Sequence, residues 1–328
     1  MKRSVVYYPQ IVFLRKDSHF LHKEDVMIEF ERIKPALRDQ IAPALLKSRK
    51  NCEYAFTNLC IWGRQHAAFL DGYWVFFSQF DRKAVYPFPV GEGEILPVLD
   101  AIIADARQRG IPCCITGLNE ANMATLEHYY PGKFRMQCDR GSFDYVYNID
   151  DLADLKGRKF QKKRNHINRF HSLYPNWRTE PLTLTNLPQV EEMVQEWYRV
   201  RQEKDPQSNF QLEQTALRRA FKYFGELNLD GMVLYDGDRV LAFTMASPLS
   251  DITMDIHFEK AVEDADGAYT AINQAFAQYL RDKYPHIRYL DREEDMDIEG
   301  LRHAKLSYCP DHLAEKCWAR LWEDADED

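Results

Sequence analysis

Two Asp-Gly pairs limit what this chain can fold into. Asp71-Gly72 joins the aromatic runs Ala67–Leu70 and Tyr73–Phe80; Asp236-Gly237 joins Leu229–Tyr235 and Arg239–Ser247. Asp-Gly between two such runs adopts a tight turn with positive φ, so each pair predicts an antiparallel hairpin. Around the first hairpin, Tyr54–Trp62 and Ala84–Pro87 read as further strands, after a helical entry over 24–49 broken near Pro35 and Pro43. Then come helix Glu94–Arg109 closed by Gly110, strand Pro112–Thr116, helix Asn119–Tyr130 stopped by Pro131-Gly132, and strands Lys133–Cys138 and Ser142–Asn148. The second half follows a similar order. Leu152–Tyr174 reads as a basic helix, Trp177–Leu184 as a strand, Pro188–Lys204 and Leu212–Glu226 as helices. After the hairpin come strand Ile252–Glu259, helix Gly267–Lys283, strand Ile287–Asp291, helix Glu299–Leu306 and strand Leu313–Leu321. Alternating strands and helices predict an α/β architecture of mixed sheets flanked by helices. The repeated order predicts two domains, 1–155 and 156–328, with residues 156–174 as a basic linking helix.

At 328 residues and 45% hydrophobic, the chain can fill two ordinary cores. Charged residues of both signs are mixed throughout, as in a globular protein. The net charge of -8 argues against a general polyanion binder but leaves room for a local basic patch. The acidic run Glu323–Asp328 reads as a solvated tail. Cys52, Cys60, Cys113, Cys114, Cys138, Cys309 and Cys317 make an odd count with no CxxC pair. They predict reduced, mostly buried thiols rather than a disulfide framework or zinc site. Residues 1–17 lack a cleavage signature, and no run approaches the roughly 18 apolar residues of a membrane span. The expectation is a cytoplasmic protein with no transmembrane segment.

Three segments carry a family resemblance. They are Tyr54-Ala55-Phe56-Thr57-Asn58-Leu59-Cys60-Ile61-Trp62, then Phe143–Tyr147 running into the basic stretch Leu155–Phe170, then Asp291–Tyr308. Together they resemble a bacterial family related to the C-terminal domain of phosphatidylglycerol lysyltransferase, from about residue 20 to residue 321. The resemblance implies a tandem Gcn5-related N-acyltransferase-like fold, similar also to the peptidoglycan-interpeptide aminoacyltransferases. Relatives move an aminoacyl group from charged transfer RNA to an amine or hydroxyl. The lysyltransferases also carry a multi-helix membrane domain that this sequence does not contain.

Four constellations could carry chemistry. From Lys156 to Arg169 there are seven Lys or Arg residues and no acid. Phe160, Ile167, Phe170 and Tyr174 form one apolar helical stripe, which turns Lys159, Lys162, Lys163, Arg164, Asn165 and Arg169 outward, with Asn165 and Asn168 as candidates for directed hydrogen bonds. Such a helix suits the phosphates of a transfer RNA, CoA or lipid headgroup, or else pairs with acids of its neighbour. Second, Asp291, Glu293 and Glu294 crowd a strand end. They can hold an ammonium acceptor or supply a general base, or pair with the basic helix. Their spacing mimics a calcium loop, but Met296 and Arg302 occupy the positions that need Gly and Glu. Arg302 and Lys305 follow as candidate donor contacts. Third, Gly267 precedes the helix containing Asn273; acyl-CoA enzymes of the implied fold bind pyrophosphate at such a helix start. Here three acids, Glu263, Asp264 and Asp266, approach it, which weakens an acyl-CoA reading. Fourth, His257 and Glu259 share one strand face and are candidate ligand or base residues, with hydrogen-bonded core packing as the alternative. By the resemblance, Tyr308 stands where a leaving-group acid is found, with simple core packing as the alternative.

GxSxG, Walker and HExxH motifs are all absent, so no nucleophile or metal is expected. The reading is direct transfer from a phosphate-bearing donor, aminoacyl-tRNA or acyl-CoA, to a small amine, peptide or lipid-headgroup acceptor, with no cofactor required. The alternatives are an acyl-CoA-dependent N-acyltransferase and a non-catalytic polyanion-binding module. The expected active cleft has the basic helix on one wall and the acidic loop on the other.

Overall fold

The computed structural model describes residues 27–47, 51–80 and 83–322. The N-terminal segment 1–17, the start of the expected entry helix and the acidic tail lie outside the described residues. The strands are β1 (Glu31–Arg32), β2 (Arg64–Leu70), β3 (Tyr73–Phe80), β4 (Lys83–Pro87), β5 (Val90–Gly91), β6 (Cys114–Leu118), β7 (Phe134–Cys138), β8 (Asp144–Asn148), β9 (Trp177–Pro181), β10 (Asp230–Asp236), β11 (Arg239–Pro248), β12 (Thr253–Ala261), β13 (Tyr289–Asp291), β14 (His312–Ala314) and β15 (Cys317–Leu321). The helices are α1 (Arg38–Leu46), α2 (Phe56–Ile61), α3 (Leu96–Arg109), α4 (Glu120–Tyr129), α5 (Ile149–Asp154), α6 (Gln161–Leu173), α7 (Leu187–Lys204), α8 (Gln211–Lys222), α9 (Ala268–Lys283) and α10 (Glu299–Leu306).

Two mixed sheets result. One runs β1-β2-β3-β4-β6-β15-β7, with β5 also pairing β3; the other runs β14-β8-β13-β12-β11-β10-β9. Both expected hairpins form: Leu70 pairs with Tyr73 and Asp236 with Arg239. Each sheet has one parallel step, β4 with β6 and β12 with β13. The sheets do not follow the expected division at 155/156. β8, from the first half, lies between β14 and β13, and the last strand β15 sits between β6 and β7. The expected strand Leu313–Leu321 is two strands, one in each sheet. A single apolar cluster also joins the halves, from Ile41, Leu59 and Phe76 to Val190, Phe221 and Phe243. Either half alone would leave this face in water, at about 1.5–3 kcal/mol per large side chain.

Local chemistry explains most of the elements. α3 carries Pro97 in its first turn, where no backbone donor is needed, and stops at Gly110, whose φ of 65° a side chain would disfavour. α4 begins with a reciprocal Asn119–Asn122 capping box. α9 lays Ile272, Phe276 and Leu280 on the second sheet. The expected strand Tyr54–Trp62 is instead α2, all six of whose residues are buried. A short helix buried on every side shows no polar face, so its aromatic composition reads as strand. The long helix expected over 152–174 is broken into α5 and α6, with Leu155 at φ 48° and Gly157 at φ 85°.

The cysteines need a further correction. Cys138 and Cys317 lie opposite each other on β7 and β15 and form a disulfide, with Cα atoms 4.2 Å apart. Their separation of 179 residues hid the pair from the sequence. Cys52 and Cys60 are buried thiols outside any disulfide, as expected.

Candidate active site

The parallel pairing of β12 with β13 ends at Asp255 and Asp291. β12 runs on to Ala261 while β13 stops, so the two strands part at a pair of buried acids. A bulge in β11–β12 pairing between Met245 and Ala246 falls beside His257. Two polar groups flank this parting point.

The first group is acidic. Asp255 and Asp291 are fully buried; Asp291 Oδ1 accepts from the Glu293 N–H at 2.8 Å. His257 Nε2 lies 2.7 Å from Ser247 Oγ, while its Nδ1 is 3.4 Å from Asp255 Oδ2 and 3.9 Å from Glu293 Oε1. Asn58 of α2 donates to Cys52 O (2.9 Å), Glu293 Oε1 (3.0 Å) and Asp255 Oδ2 (3.2 Å). Burial pushes the Asp255 and Asp291 carboxyls well above their ordinary range, and repulsion from Glu293 and from Asp144 adds to this. Beside them, Lys316 reaches Asp144 Oδ1 at 2.8 Å and also contacts Glu294 and the Cys52 sulfur. Burial alone would lower the Lys316 ammonium, but Asp144, Cys52 and Glu294 hold it well above its ordinary value. Burial pushes the Asp144 carboxyl up to about 6 against the pull of Lys316, and the Cys52 thiol well upward.

The second group is ion-paired. Arg292 donates to Glu259 Oε1 at 2.7 Å, and Asn273 donates to Glu259 Oε2 at 3.2 Å. The Arg292 guanidinium and the Lys163 ammonium approach the Tyr308 ring at 4.9 and 3.4 Å from its centroid. Tyr308 Oη is 3.4 Å from Thr270 Oγ1. Burial and the nearby Arg292 lower the Lys163 ammonium to about 8. Lys305 is buried and donates to the carbonyls of Arg292 and Glu293.

A cleft of about 1460 Å³ opens between the sheets. Asn51, Tyr54, Phe88 and Asn119 line it from one side; Val146, Thr253, Tyr289, Asp291 and His312 line it from the other. That volume exceeds the roughly 300–1,000 Å³ of small-ligand sites, which leaves room for two substrates or one bulky one.

The expected wall of basic residues is not part of this cleft. No residue of α6 lines it, because α6 packs over the start of α9 instead. A Cβ on Gly267, whose φ is 86°, would come within 2.8 Å of the His166 carbonyl oxygen. Most charges of the basic segment are used locally. Lys159 pairs with Asp151 at 2.6 Å and Arg169 with Asp266 at 2.7 Å; Arg164 donates to the carbonyls of Leu155 and Gly157. Asn165 and Asn168 are exposed, and Asn165 accepts from Gln161 at 3.0 Å. Arg302, expected near the donor, clamps Asp295 at 2.7 Å and holds that carboxylate well below its usual range. The fold thus brings together Asp291, Glu293, Glu294, His257, Glu259, Asn273, Arg292, Lys305, Tyr308 and Lys163, and sets the other expected donor residues apart.

Sequence reasoning missed Asp144, Asp255, Lys316, Asn58 and Cys52. Asp255 had a signal: it precedes His257 by two on the same strand, so it shares that face. The others come from distant segments, and Asn58 sits on the helix misread as a strand.

The architecture is that of tandem acyltransferase-like domains. The chain belongs to the family described as phosphatidylglycerol lysyltransferase, C-terminal, which matches residues 45–320. A conserved protein of unknown function from Bacteroides thetaiotaomicron is 38% identical in sequence, with a TM-score of 0.85 over 90% of this chain and 100% of that one. A C-terminal domain assigned to a lysylphosphatidylglycerol synthetase of Agrobacterium fabrum shares the fold at 14% identity, with a TM-score of 0.64 over 89% and 94% of the two chains. An uncharacterized protein of Mycoplasmoides gallisepticum, MYCGA3080, is 28% identical over 179 residues, which cover 53% of this chain and 55% of that relative. The chain thus spans about half the length of that curated relative. Among the described residues no helix is long and apolar enough to cross a membrane.

Proposed function

We propose that this protein transfers an aminoacyl or acyl group from a phosphate-bearing donor, with aminoacyl-tRNA favoured, to an amine or hydroxyl acceptor in the cleft between the sheets. The observation that carries this reading is Asp291: fully buried, lining the cleft, with Oδ2 free of any hydrogen bond. Direct transfer needs one base. The acceptor nitrogen or oxygen attacks the donor carbonyl carbon, a C–N or C–O bond forms, and the bond from that carbon to the leaving group breaks. The acceptor proton passes to the carboxylate and the leaving oxygen or sulfur is protonated in turn. A carboxylate with an unused lone pair can orient the attacking group and take its proton. Lys163, with exposed Lys162, Asn165 and Asn168 on the outer side of α6, would hold donor phosphates away from the reacting atoms.

An acyl-CoA donor is the less favoured alternative. The start of α9, where its pyrophosphate would bind, is covered by α6. Family membership also favours the aminoacyl donor. Incubating the full chain with labelled aminoacyl-tRNAs or acyl-CoA thioesters and a panel of amines tests the reading. Label transferred only from aminoacyl-tRNA is the expected result. Turnover with CoA thioesters alone would overturn the donor assignment, and salt-sensitive tRNA binding without turnover would leave a polyanion-binding module.

A further inference from the structure

Two buried polar groups lie side by side at the parting of β12 and β13, and only one contains its own cation. In the first, Asp144, Glu294 and the Cys52 sulfur close around the Lys316 ammonium. In the second, Asp255, His257 and Glu293 converge, with ligand atoms within 4.8 Å of one another. Among the described residues no Lys or Arg forms an ion pair with Asp255, Asp291 or Glu293; Lys305 gives its ammonium to backbone carbonyls. Asn58 cannot make up the difference. Its Oδ1 accepts from Trp62 Nε1 at 3.2 Å, which fixes the amide, and its two N–H groups face three acceptors. Asp255 Oδ1, Asp291 Oδ2 and His257 Nδ1 have no hydrogen-bond partner, on side chains at least 95% buried. Leaving such atoms unpaired costs about 1–3 kcal/mol each, and more for charged groups.

We propose that Asp255, His257 Nδ1 and Glu293 Oε1 form a divalent-cation site of zinc type, with the fourth position left to water or a substrate atom. The His257–Asp255 separation fits as it stands, and Glu293 Oε1, 3.9 Å from His257 Nδ1, has to close by about half an ångström. His257 Nδ1 makes no hydrogen bond to Asp255 Oδ2 despite lying 3.4 Å away. Two atoms held tetrahedrally at about 2.0–2.1 Å from one ion stand roughly 3.3–3.4 Å apart. The other ring nitrogen is held as a metal-bound imidazole requires, with Nε2 2.7 Å from Ser247 Oγ. One nitrogen and carboxylate oxygens suit Zn²⁺ or Mn²⁺ rather than a soft ion. The neighbouring group already holds the Lys316 ammonium, so the ion belongs on the histidine side. The sequence marked His257 as a candidate ligand but not the site, because the ligands come from two segments without a metal-motif spacing. The inference goes beyond the transfer reading and does not depend on it.

The test is Co²⁺ titration of the full chain followed in the visible, with Zn²⁺ competition by calorimetry. About one equivalent per chain, a visible band of tetrahedral intensity, no sulfur charge-transfer band, and affinity at least tenfold lower in Asp255→Asn and His257→Gln are expected. The unmutated chain alone decides the matter if either variant fails to fold. No cobalt band, or a near-UV sulfur charge-transfer band placing the ion at Cys52, would overturn the assignment. So would thermal stabilisation by a simple alkylamine with none by Zn²⁺. A chain that binds Zn²⁺ but moves no acyl group from any donor would sink the transfer reading and leave this one standing.

Discussion

Each half of the molecule buries a carboxylate network, and the two differ in how completely it is satisfied. In the first half, Asp105 accepts from Tyr86 Oη at 2.7 Å, Arg109 Nε at 2.7 Å and the Ile28 N–H at 2.9 Å. It sits on the inner face of α3 and lies outside the cleft. In the second half, Asp255 and Asp291 are equally buried, yet each keeps an oxygen without a partner. A satisfied buried charge holds elements together; an unsatisfied one beside a cleft is poised for a ligand. The comparison separates structural from chemical carboxylates where burial alone would not.

The widest expected gap is at Asp291. Asp291→Asn should cut transfer by about 10²–10⁴-fold while leaving the urea midpoint unchanged or higher. Initial rates and urea unfolding read both quantities, and a variant of normal rate would erase the distinction. Asp105→Ala should do the opposite. Removing one partner of a buried pair typically costs about 3–5 kcal/mol, and the rate per folded molecule should hold. A loss of rate in the surviving folded fraction would place Asp105 among the chemical residues.

Lys163 tests whether the ion-paired side serves the donor. With its ammonium lowered to about 8, donor affinity should fall as pH rises through about 8. Lys163→Arg should flatten that profile, and Lys163→Glu should weaken donor binding by about tenfold, roughly 1.4 kcal/mol, in a filter assay. Stability has the opposite sign. The unfolded chain holds this proton more tightly than the folded one, so the penalty at Lys163 is fully present below about 8 and is relieved as pH rises towards 10.5. The pH dependence of unfolding in wild type against Lys163→Met reads this directly. The smallest effect is at Arg164, whose bonds to the Leu155 and Gly157 carbonyls are structural. Arg164→Ala should cost roughly 1–2 kcal/mol in thermal unfolding and leave donor affinity within twofold.

Much of the candidate site was legible, but its arrangement was not. The crowding of Asp291, Glu293 and Glu294 after a strand marked them, and His257 with Glu259 followed from strand alternation. The basic run over 156–169 was legible as a charge pattern but misleading as a wall of the cleft. A helical stripe shows which residues face inward, not which neighbour they face; here Phe170 packs against the start of α9, while Phe160 and Ile167 close on Leu155. Tyr308, readable as an acid or as core, came to lie against Lys163 and Arg292 with its hydroxyl towards Thr270.

The sequence by itself determined the local elements: the two Asp-Gly hairpins, the capped helices, and the alternation that makes mixed sheets flanked by helices. These depend on neighbours within a few residues, and φ preference and periodicity record them. Only the tertiary structure decided the placement of β8 in the second sheet and β15 in the first, the Cys138–Cys317 bond, and the meeting of Asn58, Asp144, Asp255 and Lys316 around Asp291 and Glu293. Strand order and buried charge are settled by which distant surfaces exclude water together, and no window along the chain contains both partners.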